Sequence, residues 1–162
     1  MAETVHLFLK SNGSAVTGDS SVSSLGRDGS IECLSFIDSV RTAREAGSGL
    51  ATGRRAFDPL VIRKRIDQSS PILARALCNN EVIEGEFRFY RPSPAGDGTT
   101  EHFFTVSISD GRLSHIRRIS PDVVDPAKAI EPPTEEVGFL FHTIRWVYEP
   151  TGVEHQDSWS EQ

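Results

Sequence analysis

Between Ile83 and Tyr90 the chain alternates without a break. Ile83, Gly85, Phe87 and Phe89 share one parity, and Glu84, Glu86, Arg88 and Tyr90 share the other. A period of two suits a strand with one dry face, whereas helical apolar positions recur every three or four residues. The same pattern returns elsewhere. Val5, Leu7 and Leu9 alternate with Thr4, His6 and Lys10, and Phe104, Val106 and Ile108 alternate with Thr105, Ser107 and Ser109. Ile31–Val40 and a run from Leu60 into Arg63-Lys64-Arg65 are further apolar stretches of strand length. Asp110-Gly111 predicts a tight hairpin turn into Leu113–Ile119, because glycine supplies positive φ. The stretch Glu136–Glu149 changes parity between Phe141 and Ile144, which predicts one long strand with a β-bulge near His142-Thr143.

One segment reads as helix. Ser69-Ser70-Pro71 offers a capping hydroxyl followed by proline at the first helical position. Ile72, Leu73, Ala76 and Leu77 then share a face, Arg75 points outward, and Asn79-Asn80 tolerates the left-handed conformation that ends helices. The helix is expected over about residues 70–79. Ser11–Gly29, Ala43–Arg55 and Pro121–Pro133 read as loops, from their Ser, Gly and Pro content. Many short strands with one helix indicate a mainly β fold: two β-sheets forming a barrel or sandwich with one flanking α-helix, in a single domain over 1–162.

The formal charge of −6 argues against a nucleic-acid partner and gives no attraction to anionic lipid. No run approaches the ~18 apolar residues of a membrane span. The N-terminus lacks a basic region followed by an apolar stretch, so synthesis in the cytoplasm is expected, with any export by a route that needs no signal peptide. Cys33 and Cys78 suit a reducing compartment as half-buried free thiols.

Catalytic signatures are absent. His6, His102, His115, His142 and His155 show no paired ligand spacing, so neither a metal nor a cofactor is expected. There is no Gly-x-Ser-x-Gly elbow and no phosphate-binding glycine loop. Ser70, His102 and Asp110 could form a triad only as any dispersed Ser, His and Asp could. Glu84 and Glu86 share a strand face and read as an exposed row rather than an acid–base pair. Trp146 and Tyr148 continue the apolar alternation of their stretch and read as core. Arg63 and Arg65 point one way along their strand and Lys64 the other.

The run Leu60–Leu73 is more specific. It holds an apolar strand, then Lys64, then Asp67-x-Ser69-Ser70-Pro71-x-Leu73, then an alanine-bearing helix. In this it resembles the Hcp family, the haemolysin-coregulated tube proteins of type VI secretion. Ile31-Glu32-Cys33-Leu34-Ser35-Phe36, Phe89-Tyr90-Arg91, and Glu136-Val137-x-Phe139 followed by Ile144-x-Trp146-x-Tyr148 resemble further family segments, in order, so the likeness spans about residues 18 to 159. Asn80 stands where the family often has glycine, and Ser30 where an aromatic commonly precedes the Ile-Glu strand.

The resemblance implies a non-enzymatic tube subunit: a homohexameric ring, with rings stacked into a hollow tube that a contracting sheath drives outward, itself secreted and with no fused effector domain. Implied partners are other copies of the chain, the spike protein at the tube tip, sheath and baseplate components, and effector proteins in the lumen, with no nucleic acid and no membrane insertion. Lys64, Asp67, Ser69, Ser70, Pro71, Tyr90, Arg91, Trp146 and Tyr148 are the family-motif positions. The Arg41–Arg55 stretch resembles an extension that reaches neighbouring subunits or rings, which makes Arg41, Arg44, Glu45, Arg54 and Arg55 candidate contacts. Arg63, Arg65, Glu84, Glu86 and Arg88 supply both signs for a subunit seam. A tail-tube protein of another contractile injection system has the same architecture; a β-sandwich binding module for sugars or peptides using Trp146 or Trp159 is the reading of a different class.

Overall fold

The computed structural model describes residues 3–159. The alternating stretches form β1 (Thr4–Ser11), β2 (Ser14–Val16), β3 (Ile31–Cys33), β4 (Ser35–Ile37), β5 (Val40–Arg44), β6 (Ala51–Phe57), β7 (Leu60–Arg65), β8 (Ile83–Pro92), β9 (Thr100–Ile119), β10 (Thr134–Leu140), β11 (Thr143–Tyr148) and β12 (Val153–Ser158). Helix α1 spans Ser69–Cys78. Among the described residues, ten strands pair antiparallel through the central order β2-β1-β8-β9-β10-β7-β4, and β5 and β6 form a separate pair.

The long strand β9 makes this one sheet into two layers. Its first half pairs with β8 and β11, and its second half with β10. Inward residues from both layers, including Leu7, Ile62, Phe87, Val106, Phe139 and Ile144, are at most 1% exposed and form one core. Leu73 and Ala76 of α1 are buried with them, and Arg75 points outward to Glu81.

Asp110-Gly111 is not a hairpin. The strand continues through it, with Asp110 at φ 49° and a register shift between Ile83 and Gly85 on β8. The positive φ is spent on a bend that carries β9 from one layer to the other. A Cβ on Gly111 would lie 2.5 Å from the Leu140 carbonyl oxygen, so glycine is required by close approach as well.

The predicted bulge at His142-Thr143 is also corrected. Strand pairing stops after Leu140 and resumes at Thr143, and the register against β9 is the same on both sides (Leu140 opposite Arg112, Thr143 opposite Ser109). Phe141 and Ile144 both reach the core because the chain turns a corner there. The bulge in this ladder lies opposite Gly138–Phe139, where β9 carries the extra residue Ser114.

The sheet is not closed into a barrel. Residues 31–37 serve both of its ends: β3 pairs with β1, and β4 pairs with β7. The change of partner falls at Leu34, whose N–H donates to the Arg63 carbonyl at 2.6 Å. Ile31–Val40 is thus three short pieces rather than one strand.

Residues 43–55, read as loop, are a β-hairpin with Val40 opposite Phe57 and Arg44 opposite Ala51. The polar tail also holds β12, paired along β11. Pro121–Pro133 is irregular, with successive turns. The helix begins one residue earlier than expected, and its cap is different. The Asp67 carboxylate accepts the Ser69 N–H at 2.9 Å, while both serines are buried. Asn80 does adopt left-handed φ, at 51°. Cys33 is buried and Cys78 exposed, so neither is half-buried; both are free thiols. Burial pushes the Cys33 thiol up to about 12.

Candidate assembly site

The alternation of β7 turns Arg63 and Arg65 outward and Lys64 inward, where it is fully buried. A buried ammonium needs partners. The Lys64 Nζ is bonded to Glu135, and has Asp67 Oδ1 at 3.0 Å, Ser70 Oγ at 3.2 Å and the Arg65 carbonyl at 3.0 Å. Ser70 Oγ donates to Glu135 at 2.7 Å and accepts the Asp67 N–H at 3.0 Å. Arg118 completes the set, donating to Glu135 at 2.8 Å and to the Ser70 carbonyl at 3.1 Å.

Two cations therefore meet two carboxylates, and β7, α1, β9 and β10 are joined through them. Burial opposes ionisation of Glu135, but the hydrogen bonds from Lys64 and Ser70, the Lys64 charge and Arg118 outweigh it and hold the carboxyl below its ordinary range. Asp67 is lowered in the same way: burial acts against it, and Ser69 and Lys64 prevail. The motif positions Lys64, Asp67, Ser69 and Ser70 thus converge on one buried lock, with Pro71 exposed beside them in the first turn of α1. Sequence reasoning missed Glu135 and Arg118. Their signal is weak: Glu135 lies on the Val137–Phe139 parity and is directly opposite Lys64, which only the register shows.

A second cluster lies on the other face of the β1–β8–β9 layer. Tyr90 is 1% exposed, with the His6 ring edge-on to it at 5.6 Å, His102 at 5.2 Å and the Arg27 guanidinium over its ring at 4.5 Å. The segment 17–30 covers this face, and Ser30 Oγ lies 2.9 Å from His6 Nδ1. Ser30 is buried, so this polar contact is shielded from solvent. Burial lowers the affinity of His6 and His102 for a proton. Arg91 pairs with Glu101 at 2.7 Å and donates to the Tyr148 hydroxyl at 3.3 Å.

Trp146 packs against the core and donates to Asp38 at 2.9 Å. Tyr148 does not join it. It is 38% exposed, at the end of β11 beyond the last core layer.

The surface residues fall into separate groups. Glu84, Glu86 and Arg88 line an open groove of about 850 Å³ with Lys10, and pair within the chain (Lys10–Glu84 3.8 Å, Arg88–Glu86 3.1 Å). Arg63 and Arg65 lie on β7 in the other layer. In the hairpin, Arg41 faces Asp58 at 3.4 Å, Arg44 donates to the Gly49 carbonyl at 3.2 Å, and Glu45 accepts from Ser48 at 2.6 Å. Arg54 is exposed. Arg55 instead pairs with Asp157 and fastens β6 to β12.

Ser70 Oγ bonds Glu135, His102 Nε2 lies 2.6 Å from Thr105 Oγ1, and Asp110 is an exposed bend residue near Arg112, so each member of the dispersed triad has other partners. Among the described residues, no three His, Cys, Asp or Glu are placed to hold a metal ion.

Residues 8–148 match the family model described as type VI secretion system effector, Hcp. The chain is 33% identical over 135 residues to the major exported protein of Pseudomonas aeruginosa, covering 83% of this chain and 77% of that protein. Its fold matches Hcp1 of the E. coli EAEC 042 pathovar with TM-score 0.83 at 25% identity, over 98% of this chain and 99% of the other. It also matches the secreted protein Hcp3 of P. aeruginosa, with TM-score 0.77 at 23% identity over 98% and 99%. The buried Lys64 lock, the bent two-layer sheet and the projecting hairpin occur in a chain that belongs to the Hcp family of type VI secretion proteins.

Proposed function

We propose that this protein is a structural tube subunit that works by assembly and catalyses nothing. Copies close into six-membered rings, the rings stack into a hollow tube, and the tube is expelled and exported with small effector proteins in its lumen. Spike, sheath and baseplate proteins are its other partners.

The observation that carries this reading is the Val40–Phe57 hairpin on a chain of this family. It leaves the ten-stranded sheet, and among the described residues its two strands pair with each other alone. It presents arginines and an apolar tip, with Leu50 65% exposed. A ring needs two different complementary surfaces on each copy, since a head-to-tail contact closes only when the two fit across a rotation. The hairpin is one such surface, and the outer edge of β12, which among the described residues pairs with β11 alone, is another. Exposed ion pairs add only ~0–1 kcal/mol each, so buried apolar area must supply most of the assembly energy. The formal charge of −6 is multiplied around a ring, so stacking should strengthen with moderate salt as repulsion between rings is screened.

Negative-stain micrographs of the purified protein test the reading. Annuli with an open centre are expected; fields of compact single particles at micromolar concentration would end it.

A further inference from the structure

Where the hairpin joins the body, the chain encloses a cavity of about 340 Å³. Its lining comes from separate parts of the sequence: Asp38 and Ser39 from the link between β4 and β5, Phe57 from the end of β6, Phe141 and Ile144 from the corner between β10 and β11, and Trp146 from β11. The walls are braced. The Asp58 N–H donates to the Ser39 carbonyl at 3.0 Å, which pins the link. Phe57 meets Phe141 edge-on at 5.5 Å and lies 6.4 Å from Trp146, with planes 27° apart. A volume of this size suits a small ligand or a single residue of a larger one.

The lining is divided in chemistry. Phe57, Phe141 and Ile144 are buried and make an apolar floor. Ser39 is exposed and Asp38 half-buried, so the polar groups stand at the mouth. Among the described residues, the one bond to the Asp38 carboxylate is the Trp146 indole N–H, which donates to Oδ2 at 2.9 Å. The neighbouring arginines are committed elsewhere, Arg41 to Asp58 and Arg55 to Asp157. An ionised carboxylate has about four acceptor sites, so Asp38 has capacity to spare for a cation. An anion entering here would meet the Asp38 charge. A sugar would bring hydroxyl groups to a floor with no polar side chain to receive them.

We propose that this cavity binds a primary ammonium with a short apolar body, the body lying on Phe57, Phe141 and Ile144 and the ammonium hydrogen-bonded to Asp38 at the mouth. Such a ligand buries apolar surface on the floor and gains a charge-assisted hydrogen bond at the rim. Two sources share this chemistry: a free alkylamine, and the N-terminus of a polypeptide that begins with an apolar residue. The site is complete in one copy, so the inference does not rest on the tube reading.

The test uses the full chain with Trp159→Phe, which leaves Trp146 as the remaining tryptophan. Its fluorescence is followed during titration with n-pentylammonium, 1-pentanol, the peptide Leu-Gly-Gly and N-acetyl-Leu-Gly-Gly. A saturable change with n-pentylammonium is expected at about tenfold lower concentration than with 1-pentanol, the margin of one hydrogen bond to a charged group. Saturation by Leu-Gly-Gly that acetylation abolishes assigns the site to a chain N-terminus as well, and a response to one of the two amines alone assigns it to that source. Asp38→Asn keeps an acceptor for the Trp146 N–H but removes the charge. It should erase the margin between n-pentylammonium and 1-pentanol while leaving the unfolding midpoint unchanged; the comparison of those two ligands on the parent stands even if this variant fails to fold. No saturable response to either amine, an equal response to 1-pentanol, or an Asp38→Asn variant that binds n-pentylammonium as the parent does overturns the inference.

Discussion

The Lys64 lock and the Val40–Phe57 hairpin are both rich in charge, and they use it in opposite ways. In the lock, every charge has a partner inside the chain, and Lys64 and Glu135 are fully buried. In the hairpin, Arg54 and Leu50 face solvent, Arg41 makes an exposed pair with Asp58, and Arg55 is tied back to β12. Charges that the fold satisfies internally fix the shape of the subunit. Charges and apolar groups that it leaves outward are available to another copy. The first region should therefore fail as stability when altered, and the second as assembly.

The largest effect is expected at the lock. Lys64→Met leaves Glu135 and Asp67 facing an apolar group, and unfolding by guanidinium should show a loss of about 3–5 kcal/mol. Lys64→Met with Glu135→Leu should recover much of it, because removing both charges removes the uncompensated one. A double variant as unstable as the single would mean that Asp67 and Arg118, rather than Glu135, dominate the network.

Gly111→Ala tests the bend that lets one strand serve both layers. Its methyl group would press on the Leu140 backbone, at a cost of about 1–3 kcal/mol. Gly138→Ala should cost less, because the atoms it meets belong to the movable side chains of His115 and Ser114.

A pH titration gives a further contrast. His6 and His102 bind protons less readily folded than unfolded, so the unfolded chain takes up more protons as pH falls below the ordinary histidine value of ~6.5. Stability should thus be complete above that value and decline as pH falls through it. The lock carboxylates add a second loss in more acidic solution, as pH falls below the ordinary carboxylate range of ~4, because their folded values are lowered. His6→Gln should shrink the first phase to the share carried by His102 and leave the second.

The smallest effect on folding is expected at Arg54. Arg54→Glu should change unfolding free energy by no more than about 0.5 kcal/mol, as for other exposed sites, while breaking up rings or shortening their stacks in micrographs. Loss of stability with intact stacks would reverse the assignment of the two regions.

Much of this contrast was legible in the residues themselves. Alternation located β1, β8 and the first half of β9, an apolar run located β7, and the Leu60–Leu73 run located α1 and held Lys64, Asp67, Ser69 and Ser70 of the lock. What escaped depends on contacts distant in sequence. Asp110-Gly111 has the composition of a turn, but whether positive φ reverses a strand or merely bends it depends on which strands flank it. The hairpin was hidden because Ala43–Arg55 is exposed on both faces, so no apolar alternation marks its strands. Glu135 belongs to the lock only through the β7–β10 register, and Arg55 is claimed by Asp157 across a sequence distance no local pattern spans.

The central claim is that subunits close head-to-tail around an open centre. Light scattering on the purified chain at micromolar concentration tests it most directly. The account predicts a particle near six times 17.8 kDa, or multiples of that mass where rings stack. A particle of 17.8 kDa would contradict it.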